Sequence, residues 1–212
     1  MLNKEQVDAY NEQGYVVLED VLSVELLQEL RKVTDEVVAS ASELDESSEL
    51  LDLEPDHTKD SPRVRRIKRP HLAHEFYRKL CAETCITDAL SSLLGPNIRL
   101  RSGGKVNMKS ARFGSPVEWH QDWAFYPHTN DDVLAAGILL DDMDLDNGPL
   151  LVMPGTHRGP VYDHHSEGTF CGAMDPTSVD LDFSKAVPLT GKAGSMTVHH
   201  VRLVHGSELN RS

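Results

Sequence analysis

The chain changes character at Gly95-Pro96, and that change limits its fold more than any other feature. Before it, apolar residues recur at helical spacing. After it come short β-prone stretches separated by Gly, Pro, Asn and Asp. In the first part, Asn3 and Gln6 have capping-box spacing and Gly14 is placed as a helix stop. Tyr15-Val16-Val17-Leu18 reads as a short strand. Ser23 can cap a second helix carrying Leu27, Leu30, Val33 and Val37 on one face. Residues 40–62 are polar and are expected to form an exposed loop or lid. A further helix is expected over 72–94, with a break in the middle. In the second part, strands are expected near 98–100, 105–108, 117–120, 133–140, 150–153, 195–199 and 201–205, with Asn147-Gly148 as a hairpin turn. Helices first and many short strands afterwards predict a mainly β domain with packed helices, an α+β sandwich or barrel. The expected layout is one domain over 1–212, largely helical over 1–95 and β-sandwich over 96–212.

Composition narrows the class. A chain of 212 residues suits one domain and can bury a core without disulfide or metal staples. Its 34 acidic against 21 basic side chains give a net charge of −13. That balance argues against nucleic acid, whose phosphates need Lys and Arg, and against anionic membrane surfaces. No apolar run is long enough to span a bilayer. The opening residues lack a secretory pattern, and Cys81, Cys85 and Cys171 make an odd set with no framework spacing. Reduced thiols and a cytoplasmic location are the expectation, with Cys81 and Cys85 sharing one helix face as small apolar residues. What composition leaves unexplained is the presence of 11 histidines.

Two clusters hold the histidines that could do chemistry. Trp119-His120-Gln121-Asp122-Trp123 ends an expected strand, where residues i and i+2 share a face. His120 and Asp122 would then aim an imidazole and a carboxylate at one point. Far downstream lies His199-His200-Val201-Arg202-Leu203-Val204-His205. Two histidines and one carboxylate on a face of an octahedron leave three positions open, the donor set of non-haem Fe(II) oxygenases. Alone, an HxD pair is weak, because two polar residues at a strand end are common. Strand placement and a second histidine cluster raise its weight.

Longer blocks carry a more specific signal. Trp119-His120-Gln121-Asp122-Trp123, Asn147-Gly148-Pro149-Leu150, Met153-Pro154-Gly155-Thr156-His157-Arg158-Gly159 and Val204-His205-Gly206-Ser207 with Asn210 follow in order, after Gly14-Tyr15-Val16-Val17 and Leu94-Gly95-Pro96-Asn97. Together they resemble the phytanoyl-CoA dioxygenase family of Fe(II)- and 2-oxoglutarate-dependent oxygenases. The resemblance implies a double-stranded β-helix, a cupin-like jelly roll, with Fe(II) bound by His120, Asp122 and His205. It implies 2-oxoglutarate as co-substrate, O₂ as oxidant, and hydroxylation of an aliphatic C–H in a small molecule or acyl-CoA-like substrate. His205 is preferred to His199 and His200 because it alone precedes the Gly-Ser…Asn pattern. His199 would share strand parity with His205 only if no turn interrupts 199–205. A core or surface place is expected for both His199 and His200. Lys68 and Ser207 match positions that take part in 2-oxoglutarate binding, and Lys105 and Asn107, on one strand face, are further candidates. A solvated Lys109 is expected. The basic run Arg63–Arg69 could meet an anionic substrate or be a solvated face. Tyr126 and His128 lie on the loop after the HxD and are the candidates for meeting substrate. Trp119 and Trp123 should face away from the ligands, into the core.

The chain departs from the family pattern at several places. Some members carry Trp on the strand after the HxD, where this chain has Ile138. Members also place an Arg about eleven residues beyond the distal histidine to clamp the 2-oxoglutarate carboxylate in a bidentate pair. Ser212 is reached before that position, and Arg211 comes too early to match. The expectation is therefore a jelly roll without its last strand, its C-terminus cut short. This motivates a competing reading, a non-catalytic metal-binding relative that acts as a binding module. A weaker third reading is a zinc hydrolase using the same donors, for which no catalytic acid stands beside the ligands. Asp122 favours hydroxylation over halogenation, because related halogenases have a small residue in place of that carboxylate.

Overall fold

The computed structural model describes residues 1–101, 104–111 and 114–212. In chain order the first elements are helix α1 (Lys4–Gln13), strand β1 (Tyr15–Leu18), α2 (Val24–Ala39), β2 (Leu51–Leu53), β3 (Val64–Ile67), α3 (Pro70–Ala73), α4 (Glu75–Leu80), α5 (Thr84–Leu94) and β4 (Val106–Asn107). They are followed by β5 (Val117–His120), β6 (Leu134–Ile138), β7 (Leu150–Val152), β8 (His165–Ser166), β9 (Thr169–Phe170), β10 (Val187–Leu189), β11 (Met196–His200) and β12 (His205–Ser207). The chain forms two compact units. One comprises Leu2–Asp20 and Pro116–Glu208; the other comprises Met1, Val21–Ser115 and Leu209–Ser212. No helix among the described residues is long and apolar enough to cross a membrane.

The first unit is a β-sandwich. One sheet has the order β1-β11-β6 and the other β10-β7-β12-β5, with antiparallel pairing throughout both. Tyr15 and Val17 of β1 pack on buried Val152, Leu189 and Leu203, so the two sheets face one another across an apolar layer. The outer face of the four-stranded sheet is covered as well. Trp119 packs there on Met153, Met174 and Val204, together with Tyr162, Leu181 and Phe183 from the long connection before β10. This is the double-stranded β-helix architecture, and Trp119 is half-buried in the apolar cluster on the outer face of that sheet.

Helix α1 enters the sandwich through a glycine. Asn3 and Gln6 form the reciprocal cap, and the helix ends at Gly14 with φ 84°. A Cβ at this position would lie 2.5 Å from His157 Nδ1 and 2.8 Å from Leu203 Cδ1, so both the left-handed backbone and the space require glycine. The Gly14 carbonyl accepts the His200 backbone N–H at 2.8 Å, which ties the helix end to β11.

The second unit is built around α2, whose Leu30, Val33 and Thr34 are buried. Thr34 Oγ1 and the Tyr77 hydroxyl of α4 lie 2.9 Å apart and share a hydrogen bond. A small sheet of order β2-β3-β4 buries Leu51, Val64 and Ile67.

Local expectations fail where a partner strand decides the outcome. Residues 40–62 hold a 3-10 turn at Ser40–Glu43 and the strand β2, which pairs with β3 around the buried Leu51. The helix expected over 72–94 is three short helices, so Cys81 follows α4 while Cys85 lies in α5, and they share no helix face. Residues 98–100 form no strand. Asn147-Gly148 turns the chain but not into a hairpin, because β6 and β7 belong to different sheets. The turn is held instead by Asn147 Oδ1 accepting from Asp144 N at 3.0 Å and by Asn147 Nδ2 donating to Asp142 O at 2.7 Å.

Leu203 is fully buried between the sheets. Leu203→Ala should lower unfolding stability by about 2–5 kcal/mol, measured by denaturant titration. His200 supplies a pH test. Burial, reinforced by His157 and Arg202 against the opposing Asp131 and Asp132, lowers its pKa to about 4. The unfolded imidazole takes up its proton near 6.5, so the stabilising contribution is present above that pH and is lost as pH falls toward 4. With partial solvent access, the loss should be about 1–2 kcal/mol. Melting temperatures at pH 7 and pH 4.5 should differ less for His200→Gln than for the unsubstituted chain.

Candidate metal centre

Neighbouring strands of one sheet bring the two histidines together. β12 lies between β7 and β5, and its register sets His205 directly opposite His120. Their rings are 4.1 Å apart between centroids. Asp122 comes from the turn after β5 rather than from the strand, since it opens a 3-10 turn at Asp122–Ala124. Gln121 keeps extended backbone, φ −122° and ψ 128°, so the i, i+2 relation between His120 and Asp122 survives past the last paired residue. One nitrogen from each histidine and one oxygen of Asp122 all lie within 4.8 Å of one another.

Backbone carbonyls decide which nitrogens face inward. His120 Nδ1 lies 2.8 Å from the Glu118 carbonyl, and His205 Nδ1 lies 2.9 Å from the Leu203 carbonyl. A carbonyl oxygen only accepts, so each Nδ1 carries the hydrogen and donates it. Each Nε2 is then left with a lone pair pointing at the centre. His120 Nε2 is 3.8 Å and His205 Nε2 is 4.0 Å from the same atom, Asp122 Oδ1.

The charge states suit a metal. Burial drives the His205 pKa well below its ordinary value, and the neighbouring His199 and His120 add to this, so the ring stays neutral. Burial alone would raise the Asp122 pKa. The facing His199 imidazole, the nearby His205 and a hydrogen bond from Tyr126 outweigh that and hold the carboxyl well below the usual range. Two imidazole nitrogens and one carboxylate, all but closed off from water, fit a first-row divalent ion with positions left for other ligands.

The other sequence candidates fall in several places. Tyr126 is oriented toward Asp122, as its hydrogen bond shows. His128 is exposed, with Nδ1 2.6 Å from the Tyr126 carbonyl. Ser207 Oγ accepts the Val117 backbone N–H at 3.2 Å on the strand that carries His205. Lys68, Lys105 and Asn107 belong to the second unit. Lys68 Nζ lies 2.9 Å from Asp52 Oδ1, and Asn107 Oδ1 accepts from Arg66 Nε at 3.1 Å. Lys105 is exposed just before β4. The basic run is paired with acids of its own unit: Arg63 with Asp56 at 3.2 Å and Arg69 with Glu49 at 3.3 Å.

Three residues around the centre were not singled out from sequence. Gln121 is fully buried between the two HxD positions, and its side chain donates to the Arg202 carbonyl at 2.7 Å and accepts the Tyr162 N–H at 2.8 Å. Its own N–H donates to His164 Nε2 at 2.9 Å. His164 can accept there because its Nδ1 faces the Tyr162 carbonyl at 2.8 Å. His199, assigned a bland core or surface place, is buried with Nε2 3.5 Å from Asp122 Oδ2. The turn at Val201-Arg202 does interrupt the chain between His199 and His205. It carries the chain from one sheet to the facing one, which is why strand parity could not place His199.

Comparison with known proteins agrees with this geometry. The family model for phytanoyl-CoA dioxygenase (PhyH) matches residues 10–212. A probable alpha-ketoglutarate-dependent hypophosphite dioxygenase from Stutzerimonas stutzeri is 39% identical over 98% of this chain and 73% of its own length. Ectoine dioxygenase from Sphingopyxis alaskensis is 27% identical over 99% of this chain and 71% of its own. Among solved structures, EctD from S. alaskensis with 2-oxoglutarate and 5-hydroxyectoine superposes with TM-score 0.79 at 28% identity, covering 100% of this chain and 72% of that one. The same enzyme with bound Fe gives a TM-score of 0.80 at 26% identity, covering 99% and 72%. The chain belongs to the phytanoyl-CoA dioxygenase (PhyH) family and is a non-haem iron dioxygenase that uses Fe(II), 2-oxoglutarate and O₂.

Proposed function

We propose that His120, Asp122 and His205 hold the Fe(II), and that the enzyme places one oxygen atom into an aliphatic C–H bond of a small molecule. The observation that carries the ligand assignment is the convergence of two Nε2 lone pairs on Asp122 Oδ1, with both opposite nitrogens committed to backbone carbonyls. When bound, Fe(II) and 2-oxoglutarate activate O₂ and couple decarboxylation of the 2-oxo acid to succinate with oxygenation of the substrate. The residues of this chain orient and shield. The Glu118 and Leu203 carbonyls fix the imidazoles. Gln121 anchors the turn that presents Asp122, and Tyr126 hydrogen-bonds the carboxylate. Ser207, Lys68, Lys105 and Asn107 remain the proposed 2-oxoglutarate contacts, and Tyr126 with His128 the proposed substrate contacts.

A second substrate reading has its own support. The relative at 39% identity is named for hypophosphite, a small anion whose reactive bond is P–H. The same chemistry on this chain would convert P–H to P–OH. The non-catalytic reading lacks support of this kind: the donor set is intact, and the chain matches a dioxygenase along 98% of its length. The zinc-hydrolase reading has no dioxygenase-independent observation behind it.

Succinate formation from 2-oxoglutarate should require Fe(II), O₂ and a substrate. A panel of hypophosphite, ectoine and L-proline, read by succinate release and product mass, separates the C–H and P–H readings. Turnover with Zn(II) in the absence of O₂ would exclude both. His120→Ala and Asp122→Ala should each abolish Fe(II) binding at stoichiometric metal, measured by anaerobic equilibrium dialysis. Full occupancy in either variant would refute the ligand assignment.

A further inference from the structure

The two oxygens of Asp122 face different partners. Oδ1 is the oxygen nearest both His120 Nε2 and His205 Nε2, at 3.8 Å and 4.0 Å. Oδ2 faces a third imidazole, His199 Nε2, at 3.5 Å. His199 is not among the donors that converge within 4.8 Å of one another. Its ring stacks 4.3 Å from that of His205 by centroids, tilted 49°.

His199 is held where it is by backbone on both sides. It sits on the central strand of its sheet, paired with Tyr15 of β1 and with Ala135 of β6. The side chain is buried, and neither ring nitrogen has a hydrogen-bond partner. An imidazole in that state is costly unless one nitrogen is used. The tautomer follows from what each nitrogen meets. No carbonyl faces Nδ1, in contrast to His120 and His205, so nothing draws the hydrogen there. The polar atom facing Nε2 is a carboxylate oxygen, which only accepts, so the hydrogen belongs on Nε2. Histidines that ligate and the histidine that supports are thus opposite tautomers.

We propose that His199 is a positioning residue for Asp122: its Nε2–H donates to Oδ2, which leaves Oδ1 as the one oxygen turned to the metal. Held this way, Asp122 binds through a single oxygen and does not swing to chelate with both. An open position is thereby kept for co-substrate or O₂. Outer partners of ligating carboxylates commonly change metal affinity by about 10–100-fold when removed. The inference rests on Asp122 being a ligand.

Co(II) binding to the full chain tests it, with His199→Phe, His199→Gln and Asp122→Ala compared. His199→Phe should weaken Co(II) binding by about 10–100-fold and alter the visible d–d spectrum. His199→Gln, whose amide N–H reaches the place of Nε2, should recover most of the affinity and the spectrum. A purely structural role would not be rescued by Gln in both readouts. Wild-type affinity and spectrum in His199→Phe, with binding lost in Asp122→Ala, would overturn the role of His199 alone. Wild-type affinity in Asp122→Ala would overturn the ligand assignment and this inference together. If His199→Phe does not fold, His199→Asn replaces it, because its amide reaches only the Nδ1 position. Pulsed EPR of the Cu(II)-loaded chain should count two coordinated imidazoles, and three would make His199 a ligand and overturn the proposal.

Discussion

Two backbone carbonyls, those of Glu118 and Leu203, govern the chemistry of this protein more than any side chain does. Each takes the Nδ1–H of the histidine two residues later, at 2.8 Å for His120 and 2.9 Å for His205. A hydrogen bond of this kind contributes about 0.5–1.5 kcal/mol net, whereas the other tautomer would set a lone pair against a carbonyl oxygen. The preference is modest in stability and decisive in chemistry, because it leaves both Nε2 atoms able to accept a metal. The same two-residue relation recurs at His164, where it frees Nε2 to accept the Gln121 N–H.

Everything else at the centre follows from how the strands are shared between the sheets. β12 and β5 lie side by side, so His205 and His120 meet across one hydrogen-bonded ladder. β11 belongs to the facing sheet, so His199 arrives from across the sandwich and meets the other side of Asp122. The carboxylate is thus approached by imidazoles from both sheets. Burial, which would favour its protonation, is overcome by those partners together with Tyr126.

The sequence reveals the parts of this arrangement that depend on local spacing. The capping box of Asn3 and Gln6, the stop at Gly14, and the shared direction of His120 and Asp122 are all set within a few residues. The jelly roll, and the three donors proposed as metal ligands, are legible through the ordered blocks around His120, Gly148, Gly155 and His205. What is not legible depends on distant partners. β2 forms because β3 lies beside it, and Asn147-Gly148 is not a hairpin because its flanking strands enter different sheets. His199 looks like one more core histidine because parity along a strand carries no information across the Val201-Arg202 turn. Gln121 is hidden for a related reason: its partners at Pro160, Tyr162 and Arg202 are far away in the chain.

On the proposed ligand set, both imidazoles, His120 and His205, are fixed in the accepting tautomer before any metal arrives. Long-range ¹H–¹⁵N correlation spectra of the metal-free chain at pH 7 test this directly. The account predicts protonated Nδ1 and bare Nε2 signals for His120 and His205, neutral in both rings. An Nε2–H tautomer or an imidazolium at either position would contradict it.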